Sequence, residues 1–566
     1  MKKIIAILML FILLLSACAQ QEPTATPQPA TAVPPITEPT EESAAKPTGD
    51  AMEIEAEANT AVEGEGDLAG GLAVPGIEPL QTCFAEPPAD IPFELDVAID
   101  CGYVIVPEFY NQPGGKTFKI GFMRLNARQE TASAPLFILG GGPGQDMMTD
   151  QVFLNFSPQM LGGILDTRDV VFLNQRGVKH TEPTLDCPAF HALQWTAVEQ
   201  GSSFLSLLGE TLQRCVDELE AQGVNFNAFN SVEIAADVNS ARQALGYDRI
   251  VYYGASYGAQ LGQHVMRDFP EMLEGVVLDG ANSLSRRSWM EDRALDAQWG
   301  LDNLTALCEA DEACREAYDI QTLVEEKFAL MGDAPLTYTY VDPNDPTITF
   351  EVAVTKADLA RLISKQFGSA TTVVGIPYLL TVFAADVDTL TEALGYESGQ
   401  TAVVSRGVTE GGLATLMHYA VVCSDDPVTS IDDLIIDDTV GEYARQIGEV
   451  TAQEYVIACD VLHVQALPDA TDENVTAAIP TLILAGSLDV NTPAYRSQIV
   501  ADALPNDTFV VFSGRTHVQI NGANECAGQI MTQFVLDPTA TLDLSCADES
   551  SPYSFLLPDG NSSGQN

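Results

Sequence analysis

Positive charge is scarce in this chain. Its 566 residues include 26 Lys and Arg against 80 Asp and Glu, a formal charge of −54. Such a surface repels a phosphate backbone and an anionic lipid face, so nucleic acid is excluded as a partner and any hold on a membrane must come from an anchor. Histidine is scarcer still, at six residues, which leaves few candidates for a general base. No CxxC, HExxH or clustered Cys/His spacing occurs, so no metal is expected, and nothing calls for an organic cofactor. Long apolar runs are missing as well. The run from Ile4 to Leu15 falls short of the roughly 20 residues that a bilayer-spanning helix needs. What remains is 46% hydrophobic and 19% charged, enough apolar mass for a large core and too much for a disordered chain.

The amino terminus places Lys2 and Lys3 before that apolar run and small residues after it, the pattern of an export signal over 1–17. Leu15-Ser16-Ala17-Cys18 resembles the lipobox of bacterial lipoproteins, which makes Cys18 the expected lipidation site and the cell membrane, on its extracytoplasmic side, the expected location. Residues 18–79 are mostly Pro, Thr, Ala and Glu with little periodicity and read as a disordered linker with a reach on the order of 45 Å. The remaining ten cysteines, from Cys83 to Cys546, fall in sequential pairs of modest separation. In an oxidising compartment, nearest-neighbour pairing into five disulfides is expected.

Short apolar runs predict strands over 103–107, 118–124, 135–139, 170–173, 250–253, 275–278, 481–485 and 508–512. The last six are almost unbroken Val, Ile, Leu and Phe, as in strands covered on both faces. Helical patterns lie between them, at 204–221 and at 232–245 after Ser231, so a largely parallel α/β sheet is expected. From 282 to 465 the rhythm changes to helical patterns, such as 302–318 and 356–367, with a polar stretch at 342–346. This divides the chain into core segments at 80–281 and 466–566, with a mostly helical insertion over the carboxyl ends of the strands.

The run IVYYGASYGAQLG contains GxSxG at Gly254 to Gly258. Alone the pattern is weak, but here it ends an apolar strand and opens a helix, the sharp turn that lifts a serine hydroxyl above a sheet. A tight turn with an inert serine is the alternative. Ser256 needs a base in reach, and on such an elbow the acid follows a late strand and the histidine follows the last one. Only His517, beyond 508–512, fits that order; Asp489 in TLILAGSLDVNTP is the matching acid, to orient the imidazole. The other five histidines read as surface or packing residues, with His418 the one to watch near a pocket. Donors for an oxyanion are expected from the N–H of Tyr257 and from Gly141, with Gly142 beside it, in PLFILGGGPGQ. A phosphate loop is excluded because no GK[ST] follows.

Five motifs, GGGPG (Gly140–Gly144), NQRG (Asn174–Gly177), SVEIAADVNSARQALGYDRIVYYGASYG (Ser231–Gly258), LDG (Leu278–Gly280) and GSLDVNTP (Gly486–Pro493), stand in an order that resembles the serine aminopeptidases of the α/β-hydrolase superfamily. These are the proline iminopeptidases and, more closely, the secreted tripeptidyl aminopeptidases. The resemblance implies an α/β-hydrolase fold, a Ser256–Asp489–His517 triad, a cap formed by 282–465, and peptide substrates with a free amino terminus cleaved through an acyl-enzyme. In this family cap carboxylates hold the substrate ammonium; Glu410, Asp425 and Asp426 are suited to that, most other acids forming a solvated face. Two departures stand out: Gly140 replaces the usual histidine of HGGPG, and Asn174 the usual aspartate of DQRG. Arg176 reads as a structural ion-pair residue. A carboxylesterase or lipase, or an inactive ligand-binding lipoprotein on the same fold, are the alternatives.

Overall fold

The computed structural model describes residues 76–85, 97–112, 114–129, 133–149, 158–341, 347, 349–383, 413–520, 524–548 and 554–563. The expected signal segment, Cys18, Glu410 and the polar stretch 342–346 lie outside them. Among the described residues no helix is long and apolar enough to cross a membrane.

One sheet organises the fold. In chain order its strands are β1 (Ile77–Pro79), β2 (Ile99–Pro107), β3 (Thr117–Leu125), β4 (Leu136–Leu139), β5 (Val170–Leu173), β6 (Thr181–Glu182), β7 (Ile250–Ala255) and β8 (Leu273–Asp279). After an insertion with its own hairpin, β9 (Leu336–Val341) and β10 (Thr349–Val354), come β11 (Thr481–Gly486) and β12 (Asp507–Phe512). Their spatial order is β1-β2-β3-β5-β4-β7-β8-β11-β12, with β6 beside β3. From β5 to β12 all neighbours are parallel. The β1–β2, β2–β3 and β3–β5 pairs are antiparallel.

The apolar tetrads LFIL of β4 and VVFL of β5 are buried along their whole length, because helices cover both faces. On one face sit Phe204–Ala221, Ser231–Ala244 and Tyr257–Asp268; on the other, Pro158–Leu165 and Glu525–Leu536. Local chemistry sets their starts. Ser203 caps the first of these, accepting a bond from the Ser206 N–H at 3.2 Å, and Asn230, one residue ahead of the expected Ser231, caps the second through the Glu233 N–H at 3.0 Å.

Two expectations are corrected and a third, the mostly helical insertion, gains a detail. The linker ends before 79, since β1 pairs with β2 in the register Ile77↔Val104. β12 is an edge strand: Val510 and Phe512 are buried against one face, but Val511 on the other is 40% exposed. The insertion holds a hairpin as well as helices, for LTYTYV and TFEVAV alternate apolar and polar residues with the period of a strand.

The insertion has its own apolar cluster, built from Arg293–Ala310, Ile320–Met331, Lys356–Gln366 and the first half of Glu442–Leu462. Its packing boundary differs from the boundary in sequence. Thr415–Asp425 and the far end of Glu442–Leu462 bury Leu416, Met417, Ala458 and Leu462 in the hydrolase core, so the 21-residue helix bridges both clusters. From outside the expected range, Phe555 and the pair Leu488 and Val490 enter the cap cluster. The ten cysteines pair as expected: Cys83–Cys101, Cys187–Cys215, Cys308–Cys314, Cys423–Cys459 and Cys526–Cys546.

Candidate active site

β7 ends at Ala255 and the next helix starts at Tyr257, leaving Ser256 alone at the turn with φ 56° and ψ −120°. A non-glycine residue there carries about 1–3 kcal/mol of backbone strain, offset by its surroundings. The Ser256 N–H donates to the Asp279 carbonyl at 2.8 Å, and its own carbonyl accepts from the Ala259 N–H at 2.8 Å. Close packing explains the flanking glycines. A Cβ on Gly258 would sit 2.7 Å from the Leu139 carbonyl oxygen, and one on Gly141 would sit 2.8 Å from the Ser256 Cβ.

Asp489 and His517 leave the carboxyl ends of β11 and β12 and meet with Nδ1 to Oδ2 at 2.8 Å. Asp489 is fully buried and accepts three more bonds, from the N–H groups of Asn491 and Thr492 and from the Thr492 hydroxyl at 2.6 Å. Burial alone would raise its carboxyl, but the His517 charge and these donors outweigh it and hold it below its usual value. Burial likewise disfavours the His517 imidazolium, yet the Asp489 charge and hydrogen bond prevail and raise it. Ser256 and His517 line one cavity of about 500 Å³. Among the described residues no hydrogen bond joins the Ser256 hydroxyl to the ring; in a resting site such contacts are often long.

Beside the nucleophile, the Tyr257 N–H opens a helix and has no partner within it. The Gly141 N–H points at the Gln145 amide oxygen, 3.0 Å away, so a carbonyl-type oxygen already fills its acceptor position. Gln175 pins the glycine loop from behind, donating to Gly140 O at 2.8 Å and accepting from Gly144 N–H at 3.1 Å. His418 pins it from the cap side. Its Nδ1 lies 3.0 Å from Pro143 O and its Nε2 2.7 Å from the Tyr455 hydroxyl, and burial pushes the ring down to about 4. The neutral ring therefore donates to Pro143 and accepts from Tyr455. The two departures from the family motifs meet in one place: a side chain on Gly140 would collide with the Met147 sulfur, and the Met147 N–H is held by Asn174 Oδ1 at 2.7 Å.

The expected ammonium ligands Asp425 and Asp426 do not line the cavity. Both are buried and already engaged. Asp425 accepts from the Ser231 N–H at 3.1 Å and from its hydroxyl, which also contacts the Tyr257 hydroxyl at 2.7 Å; burial pushes it up to about 7. Asp426 pairs with Arg286 at 3.0 Å, with burial pushing it up to about 6. The two acids thus brace the residue after the nucleophile and the cavity wall. Arg176 is buried, with Asp237 at 2.7 Å on two of its nitrogens, an ion pair of the core as expected.

Several site residues carry no expectation from sequence. Asp279, inside the LDG motif, is buried and accepts from the N–H groups of Gln519 at 2.7 Å and Ile520 at 3.2 Å, just after His517, and from the Tyr253 hydroxyl; burial pushes it up to about 6. It shapes the histidine loop. Gln145 follows the glycine run directly, and the basic cluster at 286–293 marks the start of the cap; both were visible only as composition. Asp296 is the one carboxylate among the described lining residues.

A parallel sheet with a serine at its strained strand-to-helix turn and an Asp–His pair opening on the same cavity defines a serine-hydrolase scaffold. Residues 134–522 match the α/β-hydrolase fold family, and the chain belongs to it. It is similar to the serine protease Hip1 of Mycobacterium tuberculosis, 24% identical over 471 residues that cover 78% of this chain and 85% of that protein. It is also similar to the tripeptidyl aminopeptidase of Streptomyces coelicolor, 27% identical over 220 residues, 37% of this chain and 40% of that protein. A crystal structure of proline iminopeptidase from Mycobacterium smegmatis aligns over 77% of this chain and 98% of that one, at 12% identity and a TM-score of 0.35. The motifs in the sequence pointed to this fold family.

Proposed function

We propose that the protein is an exported, lipid-anchored serine peptidase that acts on the amino ends of peptides through an acyl-enzyme. The Ser256 hydroxyl attacks the acyl carbon while His517 Nε2 takes its proton, and Asp489 holds the ring through Nδ1 and stabilises the imidazolium. The tetrahedral oxyanion accepts from the N–H groups of Tyr257 and Gly141, the substrate oxygen replacing the Gln145 amide. His517 then protonates the leaving amine, and water reverses the steps to free the acid. The observation that carries this reading is the His517–Asp489 bond of 2.8 Å opening on the cavity that the strained Ser256 also lines. The likeness to a serine protease over most of the chain supports peptide substrates. Export and attachment at Cys18 rest on the leader and lipobox. Labelling by a fluorophosphonate probe, followed by peptide mapping, tests the nucleophile: modification at Ser256, abolished in Ser256→Ala, is expected, and labelling elsewhere refutes it. Peptide amides with free and blocked amino ends, run beside short acyl esters, test the substrate class. Faster turnover of the free-amine peptides is expected, and preference for esters would make the protein an esterase.

A further inference from the structure

The cavity in front of Ser256 has the opposite charge character to the rest of the chain. In a protein of formal charge −54, the described lining holds Arg286, Arg293 and Arg496 and one carboxylate, Asp296. That carboxylate is spent: it accepts from Arg496 Nε at 2.9 Å and from the Tyr495 hydroxyl at 2.5 Å. Arg496 is further matched by Asp292 at 2.8 Å. Arg286 is buried, pairs with Asp426 and lies 4.4 Å from the centre of the Trp289 ring, yet its Nε is buried without a hydrogen-bond partner. Arg293 makes no ion pair among the described residues. Its two hydrogen bonds go to neutral oxygens, Val490 O at 2.5 Å and Ser364 Oγ at 3.4 Å, leaving guanidinium donors over for the cavity. Arg293 is half-buried at the cavity wall, so its unused donors face the space an incoming anion would enter, and an anion there would supply the counter-ion it lacks.

We propose that this cavity selects substrates carrying a carboxylate close to the scissile acyl group, held by Arg293 with Arg286 behind it. The planar fork of a guanidinium suits a carboxylate, and in peptides that group comes from an acidic side chain or from a free carboxyl end. The inference rests on acyl transfer at Ser256, since it names what that site reads.

Binding to the Ser256→Ala protein, measured by calorimetry, separates the two readings because it needs no nucleophile; failure of the fluorophosphonate label would overturn the chemistry and leave this result standing. Two matched peptide pairs are used: Glu against Gln with the carboxyl end amidated, and free against amidated carboxyl end with no acidic side chain. We expect the acid-bearing member of one pair to bind about tenfold or more tightly. The responding pair identifies the source of the carboxylate. Adding Arg293→Gln should erase the difference, and Arg293→Lys should keep part of it. Equal binding in both pairs, or a preference that survives Arg293→Gln, overturns the proposal. If Arg293→Gln does not fold, salt decides: the preference should shrink severalfold between about 50 and 500 mM salt, and a preference indifferent to salt is equally fatal.

Discussion

The hydrolase core and the cap treat charge and backbone in different ways. In the core, strands end in side chains aimed at one rim, and the buried charges there are matched: Asp489 accepts from four donors and Arg176 meets Asp237 twice. In the cap, helices bury an apolar cluster and present to the cavity a guanidinium that has no carboxylate of its own. Ser256, Asp489 and His517 thus stand at the ends of sheet strands, while Arg286 and Arg293 stand in the cap segment, whose spacing the sheet does not dictate. Changes in the core should strike turnover or global stability, and changes in the cap should strike preference.

The sharpest test of that contrast is Ser256→Ala, for which we expect turnover to fall by about 10⁵-fold or more with an unchanged melting temperature, measured by steady-state kinetics and circular dichroism. Asp489→Asn follows, at about 10³- to 10⁴-fold in kcat, and it carries a pH signature. Asp489 raises His517 above its ordinary value, so wild-type activity should be lost as pH falls through a point above about 6.5, where the base becomes protonated. In the Asn variant that acid limb of kcat/KM should move to lower pH. Arg176→Met leaves Asp237 buried and unpaired, and should cost about 3–5 kcal/mol in urea unfolding with little change in substrate preference.

Disulfides compare the regions directly. Cys423–Cys459 ties a core-packed helix to the bridging one across a separation of 36 residues, whereas Cys308–Cys314 closes a cap loop with a separation of 6. By chain entropy their removal as paired Ala variants should cost about 4 and about 2 kcal/mol; equal losses would show that native-state packing rather than loop size governs. The smallest effect expected is that of Gln145→Ala. Freeing the Gly141 N–H removes one competing hydrogen bond, worth about 1 kcal/mol, and should lower KM about fivefold or less with kcat nearly unchanged.

The same contrast explains what could be read from the chain. Parallel strands announce themselves as unbroken apolar runs, and the groups that must stand at their ends, Ser256, Asp489 and His517, inherit fixed places in the order. The edge position of β12 was hidden because an apolar run does not say how many neighbours it will have. The hairpin of β9 and β10 was legible in the alternation of LTYTYV but lay in a region dominated by helical patterns. Asp425 and Asp426 misled because an acid in sequence looks the same whether it faces a ligand or, as here, a buried serine and arginine. Arg293 and Gln145 carried no periodic or motif signal, since their position depends on how the cap settles over the sheet.

The residues on either side of Asp489 belong to the cap's interior: Leu488 and Val490 are buried in its apolar cluster. The roof and the acid are therefore riveted together. A swing of the cap away from the sheet would draw the carboxylate from its imidazole, so the Asp489–His517 pair holds together only under a seated roof.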